Sequence, residues 1–234
     1  MRSPRGVWKS SPARRRRETG SPDRAAFVSA CLLAVVLTGC TRVITTSTGH
    51  PARQVGPIAA TQVRDLHSNR VQDRNGNQFV KTEPESCAGI ARELRPPFLV
   101  DHHPVAIDDG HWDATDPEMH VEELTAVYAT DFQAKAAIAY AHEAIARCQG
   151  TPLTVTTLKG HDYHFVMSPA VTSGSPDIVL WSFRASDWVC DNGFVAAYNA
   201  AVEITVCGPT GGYDVGALTQ AALKRIQALA NNPA

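Results

Sequence analysis

Apolar and polar positions recur with two different periods along residues 62–232, and each period marks a kind of element. Cys87, Ile90, Ala91 and Leu94 fall at helical spacing within Pro84–Leu94, and Ala134, Ile138, Ala141, Ile145 and Cys148 stripe one side of Asp131–Cys148. A third stripe, Val215, Leu218, Ala222, Ile226 and Leu229, follows Asp214, a good N-cap, and stops at Asn231-Asn232-Pro233. Leu153–Leu158, His161–Ser168, Asp177–Arg184, Trp188–Ala197 and Ala200–Cys207 are instead rich in Val, Thr and aromatic residues and predict strands. Lys159-Gly160 and Tyr198-Asn199 join neighbouring strands as tight turns. The expected class is α/β of the α+β type, a mostly antiparallel sheet with helices packed on one face.

Residues 1–61 carry a different pattern. An apolar run from Ala25 to Leu37 follows a basic stretch that includes Arg14-Arg15-Arg16-Arg17, and small residues come after it. That is the layout of a secretory signal, and the run is shorter than the ~18–20 residues a membrane-spanning helix needs. Arginine runs also suit nucleic acid, but this one stands directly ahead of the apolar segment, which favours export. Leu37-Thr38-Gly39-Cys40 resembles the lipobox of bacterial lipoproteins. The resemblance implies cleavage before Cys40 and lipidation of that cysteine, with stable anchoring from more than one acyl chain. Residues 1–39 thus read as a signal peptide and 40–61 as the lipidated cysteine with a Thr/Ser/Gly/Pro-rich tether. A flexible tether of that length spans roughly 25 Å.

Removing the signal changes the charge. Eight of the 22 basic residues but only two of the 23 acidic ones lie in residues 1–39, so 14 and 21 remain, a net of −7 with His neutral. Such a domain is unsuited to nucleic acid, and its membrane contact should come from the lipid.

Four cysteines remain once Cys31 and Cys40 are set aside, and export favours disulfides. Four cysteines allow three connectivities. A turn at Tyr198-Asn199 sets Cys190 directly opposite Cys207 on paired strands, close enough to bond. A rival turn at Asn192-Gly193 would leave Cys207 unmatched, so that dipeptide reads as a bulge or bend. Cys87 and Cys148 are left to staple the first helix to the second.

The order of features then matters: a cysteine in a short helix, Trp112, Asp116-Pro117, the run Val121–Tyr128, and an Ala-rich helix ending Cys148-Gln149-Gly150. Trp188-Val189-Cys190, Val202–Gly208 and a terminal amphipathic helix follow. This resembles the PknH-like extracellular sensor domain of mycobacterial Ser/Thr kinases and free-standing lipoproteins, over roughly residues 62–230. The resemblance implies pairing of the first cysteine with the second and the third with the fourth. It also implies a cleft for an unidentified small ligand or cell-envelope component, on the outer face of the cell membrane. Unlike the kinases, this chain shows no kinase domain and no transmembrane helix, so signalling by that route is not expected of it.

No catalytic signature is present. His142-Glu143 opens like a zincin helix, but Ala146 occupies the place of the second histidine. Residues 101–131 are unusual in composition, with nine carboxylates, four histidines and no Lys or Arg. Their bland reading is a solvated acidic loop and strand edge. Their sharper reading is a divalent-metal site, with His102, His103, Asp109 and His111 as candidate ligands. Trp181 between Val179 and Phe183 reads as core. The preferred function is a non-enzymatic, cofactor-free, lipid-anchored binding or sensor module, and the ligand-binding residues are not readable from the sequence.

Overall fold

The computed structural model describes residues 56–72, 79–91 and 96–232; Cys40 and the lipobox lie outside these, as does Leu94. In chain order the elements are a 3-10 helix Ala60–Leu66, β1 (Phe79–Glu83), a 3-10 turn Glu85–Cys87, α1 (Ala88–Ala91) and α2 (Pro97–Val100). Then come β2 (Ala106–Thr115), β3 (Glu118–Val127), α3 (Ala134–Cys148), β4 (Pro152–Thr157) and β5 (Asp162–Met167). The last are β6 (Val171–Thr172), β7 (Ile178–Arg184), β8 (Val189–Ala197), β9 (Ala200–Gly208) and α4 (Val215–Asn231). All strand pairs are antiparallel, in the order β1-β4-β5-β7-β8-β9-β3-β2, with β6 beside β7.

The centre of the sheet is the β8–β9 hairpin. Its register runs unbroken from Val189↔Gly208 to Ala197↔Ala200, and Cys190 pairs with Cys207. The two are disulfide-bonded with Cα atoms 4.1 Å apart, and Cys87 is bonded to Cys148. Asn192-Gly193 is neither bulge nor bend, since Asn192 pairs with Thr205 and Gly193 with Ile204. Gly193 has another reason to be there: a Cβ at that position would meet Thr219 Cγ2 of α4 at 2.2 Å. The glycine lets the helix approach the strand.

The antiparallel α+β class is as expected, but the helices form two layers rather than one. Alternate side chains of β8 divide between two cores. Cys190, Phe194 and Ala196 face α2 and α3, with Phe98 and Ile145, while Val195 and Ala197 face α4 and the N-terminal 3-10 helix, with Ile226 and Leu66. Every residue of β8 and β9 is buried. Strands buried on both faces need cover on both, which one helical layer cannot supply.

The boundary expected at residue 61 falls inside the 3-10 helix. The packed chain already includes Ile58, whose N–H donates to Asn199 Oδ1 at 2.9 Å and whose carbonyl accepts from Asn199 Nδ2. Among the described residues no helix is long and apolar enough to cross a membrane.

Candidate functional site

Buried polar side chains stand out where a sheet face should be apolar. One such row crosses four strands in register on the α3-facing side of the sheet. His111 of β2 pairs with Glu122 of β3, Glu122 with Thr205 of β9, and Thr205 with Asn192 of β8. Directly paired residues point to the same face, so the four side chains form one line. Glu122, Thr205 and Asn192 are buried, and Thr205 Oγ1 donates to Asn192 Oδ1 at 2.9 Å. Asn192 Nδ2 in turn donates to the Cys190 carbonyl. His111 is half-buried, and its Nδ1 is enclosed without a hydrogen-bond partner.

The two neighbouring rows shape the surroundings. On one side Asp109, Leu124, Glu203 and Phe194 align, and Glu203 is buried. Burial, reinforced by the Glu203 carboxylate, pushes the Tyr128 phenol far above its ordinary pKa, so it stays a neutral donor to the Leu99 carbonyl. On the other side Asp113, His120 and the Cys207–Cys190 disulfide align. His120 pairs with Asp113 and stacks on Trp188 at 6.0 Å between ring centres, and Trp188 stacks on Tyr163 at 5.6 Å. Trp188 Nε1 is likewise enclosed without a partner. The result is an acceptor-rich polar floor bordered by an aromatic wall.

The opposite face carries a second polar group, and it is structural. Glu123 accepts from Ser68 N (2.7 Å), Trp112 Nε1 (3.3 Å) and Arg225 Nη2 (3.3 Å), so it ties β3 to α4 and to the N-terminal segment. Arg225 Nε donates to the Leu66 carbonyl, and His67 Nε2 lies 3.2 Å from Asp108 Oδ2. Burial holds the His67 imidazole below its ordinary pKa even though Glu123 and Asp108 pull the other way. Thr125 Oγ1 approaches the same His67 nitrogen at 3.4 Å, but its hydroxyl donates to the Val63 and Asp108 carbonyls. A triad needs the base to use opposite ring nitrogens for nucleophile and carboxylate, which this arrangement does not provide.

The metal candidates do not converge. His102 lies in the turn after α2, edge-on to Tyr128, Phe132 and Tyr140, and His103 is in the left-handed region at φ 52°. Asp109 and His111 share a face of β2 two residues apart. Among the described residues no three His, Cys, Asp or Glu side chains gather as a metal site. His142 and Glu143 are exposed on α3, and Trp181 is core, donating to the Ile90 carbonyl. The sequence reading did not find Glu122, Glu203, Thr205 and Asn192 as a group. The signal available was polar residues inside otherwise apolar strand runs, at Glu203, Thr205 and Asn192.

An antiparallel sheet with helices on both faces, two disulfides and a buried polar row define a disulfide-stabilised α+β domain. The model of the PknH-like extracellular domain matches residues 50–225, and the chain belongs to that family. Its fold is similar to the crystal structure of the extracellular domain of PknH from Mycobacterium tuberculosis, with a TM-score of 0.55 at 18% identity. The likeness covers 76% of this chain and 99% of that one. No curated protein matches the sequence.

Proposed function

We propose that the chain is a lipid-anchored, extracytoplasmic sensor-type domain that binds a small ligand or cell-envelope component without transforming it. Membership of a family of extracellular domains supports the location, and the signal and lipobox ending at Cys40 support the anchor. The observation that carries ligand binding is the in-register row His111, Glu122, Thr205 and Asn192. Burying polar groups in a sheet face is unfavourable unless they are satisfied, and His111 Nδ1, enclosed at the β2 edge of the row, has no hydrogen-bond partner within the domain. An acceptor-rich floor beside stacked rings suits a ligand that brings hydrogen-bond donors, such as a polyhydroxylated or amine-bearing molecule.

The test is affinity purification of the mature protein from native cell envelope, followed by mass spectrometry of what accompanies it. The wild type is expected to retain a small molecule that His111→Leu and Thr205→Val lose while remaining folded. Identical recovery from all three proteins, or from none, would remove this face as the binding site.

A further inference from the structure

The β8–β9 hairpin turns at Tyr198 with φ 53°. A two-residue hairpin often needs that left-handed conformation at its first turn position, and glycine usually supplies it. For a bulky residue it is strained. The bonds that lock this turn belong to Asn199, whose side chain holds both polar groups of Ile58 and the Tyr128 carbonyl. Tyr198 contributes none of them, and its residue is 42% exposed. The fold therefore keeps a large, partly exposed aromatic residue at a backbone position that favours glycine.

Its surroundings give the residue a context. Val105 and Ile107 are 58% and 43% exposed. Val105 N–H donates to the Val127 carbonyl, and the next residue, Tyr128, donates to the Asn199 carbonyl. The three apolar side chains thus lie at one end of the sheet. The chain also joins the domain there, because Gly56 N–H donates to the Ala230 carbonyl at the close of α4 and Ile58 is held at the hairpin tip. Cys40 stands 16 residues before Gly56 in the sequence, and 16 residues can span at most roughly 55 Å. Trp188 and the Cys190–Cys207 disulfide lie at the far end of β8, about 30 Å away at the usual rise per residue.

We propose that this end of the sheet, with Tyr198 at the β8–β9 turn and Val105 and Ile107 across β3 at the β2 edge, rests in the interfacial layer of the bilayer that holds Cys40. The inference rests on the lipoprotein reading above. A tyrosine ring is apolar along its body and polar at its tip, which suits the membrane–water boundary. Three side chains bind a free bilayer weakly, but a short tether holds them at an effective concentration in the millimolar range (~1 mM). The mature chain is acidic, with 21 acidic against 14 basic residues beyond residue 39, so the contact is apolar and gains nothing from anionic lipid. In this pose the aromatic wall at Trp188 and His120 faces away from the membrane, toward the envelope.

The test uses the lipidated full chain in phosphatidylcholine vesicles carrying bromine in the upper acyl chains. Tyr198→Trp reports on the proposed contact and Asp187→Trp, exposed beside Trp188, on the far end. The parent protein supplies the background from its own tryptophans. The indole introduced at position 198 is expected to lose most of its emission and shift to the blue, and the one at position 187 to do neither. Val105→Trp gives the same reading should Tyr198→Trp fail to fold. A chain that does not float with the vesicles overturns the anchor and the contact together. A chain that floats with position 198 unquenched overturns the contact alone. A blue shift without lipid that grows with protein concentration identifies a second copy as the occupant and also overturns it.

Discussion

Single residues in this domain do their work by where their polar atoms end. His67 sits between Asp108 of β2 and Glu123 of β3, with Arg225 of α4 on Glu123 and Arg64 on Asp108. Desolvation dominates and depresses its pKa, so the folded state prefers the neutral ring. An unfolded histidine takes up its proton near pH 6.5. As pH falls below that value the unfolded chain binds more protons than the folded one, and stability drops. The step ends once pH passes below the depressed folded value. Urea midpoints of the wild type are expected to fall between pH 7 and pH 5.5 by more than those of His67→Gln. Equal slopes would show that His67 does not titrate with folding. Nothing in the sequence around His67 announced this role, because Asp108, Glu123 and Arg225 are 41, 56 and 158 residues away.

Elements meet through a few close approaches. Gly193 allows α4 to lie against β8, and the facing side chain, Thr219, is fixed because its hydroxyl donates to the Val215 and Gly216 carbonyls. Gly193→Ala should therefore push helix from strand, and overpacking of this kind costs typically ~1–3 kcal/mol. Thr219→Ser keeps the hydroxyl and deletes Cγ2, so the double variant is expected to regain most of that loss in a denaturation cycle. Additive effects would place the strain elsewhere. Read as sequence, Asn192-Gly193 pointed to a bend, since local turn chemistry is all a dipeptide can show. The glycine answers to a helix more than twenty residues downstream.

For the whole molecule, the decisive question is whether Cys40 anchors the domain. If Cys40 carries the lipid, Cys40→Ala is expected to accumulate as unlipidated precursor or to appear as released soluble protein, followed by fractionation and lipid labelling. Membrane retention with parental lipid labelling would refute the lipobox. The domain's own cohesion is separate, carried by two cores and two disulfides whose loops close over 17 and 61 residues. The sequence by itself determined what depends on short range or fixed spacing. The 3.6-residue stripes of α3 and α4, the Asp214 cap on Ala217 N, the Tyr198-Asn199 turn and the Cys190–Cys207 register it imposes all belong here. The tertiary structure alone decided the second helical layer, the Glu123 network and the line His111, Glu122, Thr205 and Asn192. Those features depend on which strands lie side by side, and strand order in a sheet is set by burial summed over the whole chain rather than by any local pattern.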